Sequence, residues 1–178
     1  MKTIASMKIQ SFILSIIVAC VAPAAQAQME TVRKILFLDQ PDSPGDSTRF
    51  IVSPYTLHYS PSPNHRPTWM LGAEKQYAGG VLLGAAYFSN SFGQDSATIY
   101  RGARLKEWSP FPQLYAQWTA GLMYGYKPPY NDEVPLNFRG FSPIAVLALG
   151  WQFNRRYAVQ VNALGTAALM FQLSLEMP

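Results

Sequence analysis

From Arg49 onward, apolar and aromatic residues recur in strand-length segments that are separated by clusters of turn-forming residues. Short segments of this kind, divided by Gly, Pro, Asn, Asp and Ser, are typical of consecutive β-strands. After residue 27, no stretch stays apolar for the ~20 residues that a membrane-spanning helix needs. The pattern predicts eight strands, at residues 50–59, 68–76, 81–89, 97–108, 114–126, 141–153, 158–164 and 167–173.

The connections between these segments alternate in length. Short ones lie at residues 78–80, 109–113 and 154–156, and most of the others are longer. Outer-membrane barrels have short turns on the periplasmic side and longer loops outside. We therefore predict that the first strand runs outward and that its end, the loop at residues 90–95 and the loop around Asp132 lie at the outer rim.

Aromatic residues make up 13% of the chain, and charged residues only 13%. Most aromatic residues of the predicted strands lie near strand ends, where the girdles of a transmembrane barrel meet the lipid headgroups. A bilayer accepts only helices or closed barrels as spanning structures. We therefore predict an all-β fold, an eight-stranded antiparallel transmembrane β-barrel in the bacterial outer membrane. The predicted girdle residues are Tyr87, Phe88, Tyr100, Trp108, Tyr115, Trp118, Tyr124, Tyr126, Trp151 and Phe153.

The third segment bears on the interior of the barrel. Because successive strand residues point to opposite faces, one face would carry Val81, Leu83, Ala85 and Tyr87, and the other Leu82, Gly84, Ala86 and Phe88. Neither face is polar. Small-solute transport would require a polar lumen, so this segment favours an interior that accommodates an acyl chain.

The N-terminus has the features of a secretory signal peptide. Lys2 and Lys8 precede a largely apolar run at residues 9–22, and the triplet Ala25-Gln26-Ala27 follows. A basic start, a short apolar run and a small-x-small site are typical of a cleaved leader. We therefore predict a signal peptide at residues 1–27, through which the chain is exported to the outer membrane.

A competing processing site ends at Cys20, because residues 17–20 also match a lipoprotein box. Cys20 is the only cysteine, so the mature chain has no internal disulfide on either interpretation. Residues 29–38 mix charged and apolar side chains and predict a short amphipathic helix at the membrane surface. The predicted organisation is an N-terminal amphipathic segment and linker at residues 28–48, followed by the barrel at residues 49–178.

Charge and motifs narrow the function. The net charge is +4 and the arginines are scattered, so a nucleic-acid-binding surface is not supported. The sequence lacks Gly-x-Ser-x-Gly, His-Glu-x-x-His, a phosphate-binding glycine loop and a cysteine-based metal site. We expect no cofactor and no metal, so any chemistry has to come from polar side chains at a rim. The candidates are the two histidines and nearby serines: His58, His65, Ser89, Ser91 and Ser96.

Several short motifs occur in a recognisable order. They are Tyr55-Thr56-Leu57-His58 in the first strand, Asn90-Ser91 after the third, Trp118-Thr119-Ala120-Gly121-Leu122 in the fifth and Gly165-Thr166 between the last two. This order resembles that of the lipid A palmitoyltransferase family, which are outer-membrane β-barrel acyltransferases. The resemblance extends over nearly the whole mature chain. A glycine at the floor of the family's acyl-chain pocket corresponds to Gly102 by its spacing from Ser91.

The resemblance implies a function and a site. A palmitoyl-type chain would move from a phospholipid donor to lipid A as the acceptor, within outer-membrane lipid and on a monomeric barrel. His58 would be the general base, Ser91 a polar stabiliser and Asn90 an orienting or oxyanion-binding group. Gly102 would be a substrate-binding residue that sets the length of the acyl chain.

Two further features bear on this resemblance. The family has an aspartate where this chain has Asn90, and Asp95 in the same loop could supply a carboxylate. Pro54 and Pro143 lie within predicted strands, as prolines do in the family, where missing ladder hydrogen bonds open lateral gaps for lipid. Proline removes a backbone donor in any strand.

Other interpretations stay open. A histidine at a strand end also fits a rim residue, Asn90 and Ser91 fit an ordinary hairpin loop, and Gly102 fits relief of crowding in a narrow barrel. For the whole chain, the alternative is a non-enzymatic small outer-membrane barrel with a transport or structural role. An eight-stranded barrel is narrow enough for side chains to fill it, which argues against a general diffusion pore. A secreted lipid-binding barrel would need polar outward faces, which most strands lack.

Overall fold

The computed structural model describes residues 44–106 and 109–177. All eight predicted strands are confirmed, and the largest difference is at the end of the eighth, which continues to Met177. The predicted signal peptide, the lipidation site at Cys20 and the amphipathic helix lie outside the described residues. The strands are β1 Ser47–His58, β2 Trp69–Gln76, β3 Val81–Ser89, β4 Asp95–Leu105, β5 Leu114–Tyr124, β6 Phe141–Gln152, β7 Tyr157–Leu164 and β8 Ala168–Met177.

The strands form a closed antiparallel barrel in which each strand pairs with the next and β8 pairs with β1. The longest connection, residues 125–140, includes a single 3₁₀ turn at Asn131–Glu133. In the described part of the chain, no helix has the length and apolar character needed to cross a membrane. We call the end that carries this long connection the outer end and the opposite end the inner end.

The outward face of the wall is largely apolar. Large hydrophobic side chains stay exposed along the strands, among them Leu71, Ile99, Leu147, Leu149 and Leu173. Most predicted girdle residues in the described strands are also exposed, but Tyr100 and Tyr115 point into the lumen and are buried, and Phe88 faces the lumen and packs on its apolar cluster. For these three the girdle prediction is wrong. Each lies at an even spacing from inward residues of its own strand, and strand residues alternate between faces.

Charged and amide side chains fill the inner half of the lumen. Arg49 Nη1 lies 3.5 Å from Glu74 Oε2, and Arg104 Nη2 lies 3.8 Å from the same oxygen. Tyr100 and Gln117 donate hydrogen bonds to Glu74 Oε1 at 3.1 and 3.3 Å. All five side chains are buried. The expectation of an apolar interior is therefore wrong for this half, because β1, β2 and β4 contribute the charged groups.

The outer half of the lumen carries apolar side chains together with small buried polar ones such as Ser53, Ser96 and Ser142. Ile51, Met70, Leu82, Ala86 and Tyr100 form a buried cluster against which Phe88 and Met170 pack. Four inward-facing side chains near the outer end stay only half-buried, so solvent reaches them from the mouth or through the wall; they are Phe88, Ile144, Val146 and Met170. This half keeps apolar surface that no described side chain covers completely.

Two gaps interrupt the strand ladders at the outer end. Among the described strands, β1 pairs with β2 only as far as Ser53, which leaves residues 54–58 without a partner on that side. β6 pairs with β7 only from Leu147 onward, which leaves residues 141–146 unpaired there. Pro54 and Pro143 lie in these two stretches. The prediction that the prolines accompany missing ladder hydrogen bonds is confirmed.

Candidate active site at the outer mouth

His58 and Ser91 meet at the outer mouth of the barrel. His58 is the last residue of β1, and Ser91 lies just beyond the end of β3. The His58 Nε2 atom is 2.7 Å from Ser91 Oγ, and both side chains are half-buried. The structure thus joins by a hydrogen bond two of the residues that the sequence assigned to one site.

Asn90 organises the loop that carries Ser91. Its Oδ1 atom accepts hydrogen bonds from the backbone N–H groups of Phe92 and Gln94, both at 3.0 Å. Its Nδ2 atom lies 3.4 Å from Gln94 Oε1, and the side chain is buried. These contacts are those of a turn-forming residue. Asn90 therefore positions Ser91 through the loop, and Ser91 is the residue that shares a hydrogen bond with His58.

Three outer loops are joined around this pair. The backbone N–H of Arg66, in the loop after β1, donates to the carbonyl of Ser91 at 2.8 Å. The side chain of Gln94 accepts a hydrogen bond from the N–H of Lys127 at 2.9 Å, which ties in the loop after β5. Phe92 stacks on Tyr130 with ring centroids 4.1 Å apart. The mouth is thus held by contacts between loops that are far apart in sequence.

Tyr126 and His65 complete the surroundings of the pair. Tyr126 lies beyond the end of β5 and hydrogen-bonds to the side chain and backbone of Ser91. Burial raises the pKa of the Tyr126 hydroxyl, although the hydrogen bonds from Ser91 act to lower it. The hydroxyl therefore stays protonated near neutral pH. The rings of His58 and His65 have centroids 4.3 Å apart, and Phe92 lies 5.6 Å from the His65 ring.

The sequence alone did not place these two residues beside the His58–Ser91 pair. Tyr126 was predicted as a girdle residue, and no local motif signals its approach to Ser91. His65 was a candidate only because it is the second of two histidines. Asp95 does not supply the missing carboxylate, because its exposed side chain hydrogen-bonds to Tyr87 instead.

Gly102 lies in β4, opposite Thr119 of β5, and is buried. A Cβ atom here would collide with the carbonyl oxygen of Trp118 and lie 2.9 Å from the Cα atom of Thr119. This close approach of the β4 and β5 backbones is enough to require glycine at position 102, whether or not a ligand binds there. The geometry agrees with the crowding interpretation of Gly102, and its contact with an acyl chain stays a prediction.

The outer mouth offers acid–base chemistry without a metal cluster. An imidazole nitrogen 2.7 Å from a hydroxyl oxygen is within reach for proton transfer. Two hydroxyls, those of Ser91 and Tyr126, lie together and can donate to a developing negative charge. Within residues 44–106 and 109–177, no three His, Cys, Asp or Glu side chains gather as a metal site would require.

Comparison of the sequence with protein-family models and with curated proteins gives no match. Among solved structures, a de novo designed transmembrane β-barrel is similar with a TM-score of 0.51 and 15% identity, over 78% of this chain and 100% of that one. The N-terminal β-barrel domain of Pseudomonas aeruginosa OprF matches with a TM-score of 0.41 and 11% identity, over 74% of this chain and 96% of that one. The first likeness, together with the closed eight-stranded topology and the largely apolar outward face, shows the fold: the described residues form an eight-stranded transmembrane β-barrel.

Proposed function

We propose that this barrel is an outer-membrane acyltransferase that moves a palmitoyl-type chain from a phospholipid to lipid A. The observation that carries the proposal is the hydrogen bond between His58 and Ser91 at the outer mouth. In this proposal the outer end of the barrel faces the leaflet in which lipid A resides. Transfer of an acyl chain between two lipids needs a general base and a hydroxyl at the level of that leaflet.

The wall and the lumen support the same proposal. The gaps beside residues 54–58 and 141–146 give a lipid in the bilayer two lateral routes to the interior. The half-buried apolar side chains of the outer lumen, such as Ile144 and Val146, offer a surface for an acyl chain. The charged inner half then forms the floor of the acyl-chain site, because moving the methyl end of an acyl chain among Arg49 and Glu74 would give no favourable free energy of burial.

The proposed reaction uses His58 twice. Its imidazole takes the proton from the acceptor hydroxyl of lipid A as that oxygen attacks the ester carbonyl of the phospholipid. The bond from the carbonyl carbon to the glycerol oxygen then breaks, and His58 returns the proton to that oxygen. Ser91 holds the imidazole, and the hydroxyls of Ser91 and Tyr126 donate to the oxyanion while it exists. The products are acylated lipid A and a lysophospholipid.

Mass spectrometry of lipid A from cells that express wild type, His58→Ala, Ser91→Ala or the loop control Asn64→Ala tests the proposal. Wild type and Asn64→Ala should add one acyl chain. His58→Ala should lose ~10²-fold or more of the transfer rate, as is usual when a general base is removed. Heat-modifiable gel mobility shows whether each barrel has inserted. Correctly inserted wild type that adds no acyl chain, or His58→Ala that transfers normally, would overturn the proposal.

The second candidate is a non-enzymatic barrel with a structural role. It is favoured by the buried network of Arg49, Glu74 and Arg104, which fills the inner half of the lumen and so opposes a diffusion pore. In that case lipid A would be unchanged in every strain. Removing the chain would instead alter the resistance of the outer membrane to detergent, and His58→Ala would restore it as well as wild type does.

A further inference from the structure

The loop between β5 and β6 carries the most exposed large apolar side chains of the described residues. Leu136 is 81% exposed and Phe138 is 70% exposed. Leu136 and Arg139 have positive φ angles of 54° and 53°. Side chains with a Cβ atom rarely adopt this conformation, and such strain is typical of functional positions. The backbone is therefore held in an unfavourable conformation on both sides of Phe138.

This loop continues the lipid-facing wall directly below it. The backbones of Phe138 and Phe141 exchange hydrogen bonds of 2.8 and 3.0 Å. Phe141 and Tyr124 face outward at the outer ends of β6 and β5, and their ring centroids are 4.8 Å apart. Aromatic side chains at the end of a transmembrane barrel lie at the level of the lipid headgroups. Leu136 and Phe138 thus extend the apolar wall upward at that level.

Two cations lie over the same aromatic rings. The Nζ atom of Lys127 is 5.2 Å from the centroid of the Tyr124 ring, and the Cζ atom of Arg139 is 5.3 Å from that of Phe138. Neither cation forms a salt bridge with any residue in the described part of the chain. Positive side chains just above an aromatic girdle lie where lipid phosphates are found. We define Tyr124, Lys127, Leu136, Phe138, Arg139 and Phe141 as the ledge.

We propose that the ledge binds the phosphate-bearing headgroup of an anionic lipid in the outer leaflet. The apolar side chains contact the upper acyl region while Lys127 and Arg139 pair with the phosphate. The position of the ledge adds a consequence that rests on the proposed function. Phe141 begins the stretch of β6 that lacks a partner on β7, so a lipid held on the ledge stands beside a lateral gap.

Site-specific fluorescence in vesicles tests the ledge without any acyl transfer. In a Cys20→Ser background, bimane is attached at Leu136→Cys or, as a control in the same loop, at Asp132→Cys. The vesicles are phosphatidylcholine with a fixed fraction of headgroup spin-labelled lipid, either phosphatidylcholine or phosphatidylglycerol. We expect spin-labelled lipid to quench position 136 several-fold more than position 132, and labelled phosphatidylglycerol to quench it at least twofold more than labelled phosphatidylcholine.

Charge variants then assign the preference. Lys127→Gln/Arg139→Gln should quench equally with both labelled lipids, whereas Lys106→Gln/Arg155→Gln at the inner end should behave like wild type. Equal access of aqueous iodide to positions 136 and 132 would overturn the apolar contact. Equal quenching by both lipids in wild type, or an undiminished preference in the ledge variant, would overturn phosphate binding. Failure here leaves lipid A acylation in cells intact, so it is distinguishable from failure of the proposed function.

Discussion

Replacing Glu74 by glutamine tests whether the charged network holds the inner half of the barrel together. Glu74 is buried and lies between Arg49 and Arg104, at 3.5 and 3.8 Å. Glutamine keeps the shape and the acceptor oxygen for Tyr100 but removes the charge, so two guanidinium groups lose their central counter-ion. Removing one partner of a buried ion pair typically costs about 3–5 kcal/mol. Because Arg104 also lies 3.7 Å from Glu176, we expect the lower value, about 3 kcal/mol.

Urea unfolding of the purified barrel in detergent measures this loss. With a slope of about 2 kcal/mol per molar urea, 3 kcal/mol lowers the unfolding midpoint by about 1.5 M. Glu133→Gln, in an exposed loop, should change the free energy of unfolding by less than about 0.5 kcal/mol. Arg49→Met combined with Glu74→Gln should recover part of the loss, because one uncompensated cation is gone. A Glu74→Gln barrel as stable as wild type would refute the reasoning and mean that Glu74 is already uncharged in the lumen.

Three further substitutions separate the interpretations of the predicted site. Gly102→Ala forces the β4 and β5 backbones apart and should lower the free energy of unfolding by about 2 kcal/mol. Gly79 has open space around it, so Gly79→Ala should leave the stability unchanged. A stable Gly102→Ala barrel that transfers shorter acyl chains would support the substrate-binding role instead. Asn90→Ala should lower the free energy of unfolding by about 2 kcal/mol, because two loop N–H groups lose their acceptor. Asn90→Asp keeps that acceptor and should retain most of the stability and of the acyl transfer. If the Ala and Asp variants were equally stable, the loop role of Asn90 would be contradicted. Tyr126→Phe removes a hydrogen bond to Ser91 and should slow acyl transfer about fivefold with little change in lipid affinity, measured as kcat and KM in mixed micelles; an unchanged kcat would remove Tyr126 from the site.

The fold could be predicted from the sequence because a closed barrel leaves a local trace. Each strand has to cross the same apolar layer, so apolar segments and turn clusters recur at regular spacing, and loop lengths alternate between the two ends. The sequence prediction was wrong where it assigned a residue to the wrong face of its strand. Tyr100 lies at an even spacing from Thr98 and Arg104 of the same strand, and both are buried in the lumen. The alternation of residues along the strand indicates which face a residue occupies, whereas its nearness to a strand end does not.

The interior could not be predicted from one strand. β3 alone is apolar on both faces, and its inward Gly84 leaves room for the ring of Tyr100, where a Cβ atom would approach to 2.5 Å. The polar character of the inner lumen comes from residues such as Arg49, Glu74 and Arg104, which lie on three other strands. Their grouping depends on the register between strands, and register is a property of the closed barrel rather than of any single segment.

The candidate site was predictable only in part for the same reason. His58 and Ser91 were associated by the order of short motifs, and the barrel brings them to hydrogen-bonding distance. Tyr126 and the loop contacts of Asn90 depend on how three outer loops close over the mouth. Loop closure has no periodic sequence signal, because turn residues fix local backbone shape and not the partner across the mouth.

The two halves of the barrel have complementary roles. The outer half lacks ladder hydrogen bonds beside residues 54–58 and 141–146, and each missing bond between strands removes about 1 kcal/mol of stabilisation. A wall with such gaps needs compensation elsewhere, and the inner half provides it through side-chain hydrogen bonds between strands that are not neighbours, such as Gln117 to Glu74 at 3.3 Å and Tyr115 to Gln160 at 3.0 Å. Glu74→Gln should therefore loosen the outer gaps as well as the inner lumen. Amide hydrogen exchange would reveal this as faster exchange at residues 144–146 in the variant, while an effect confined to the inner half would show that the two halves are energetically independent.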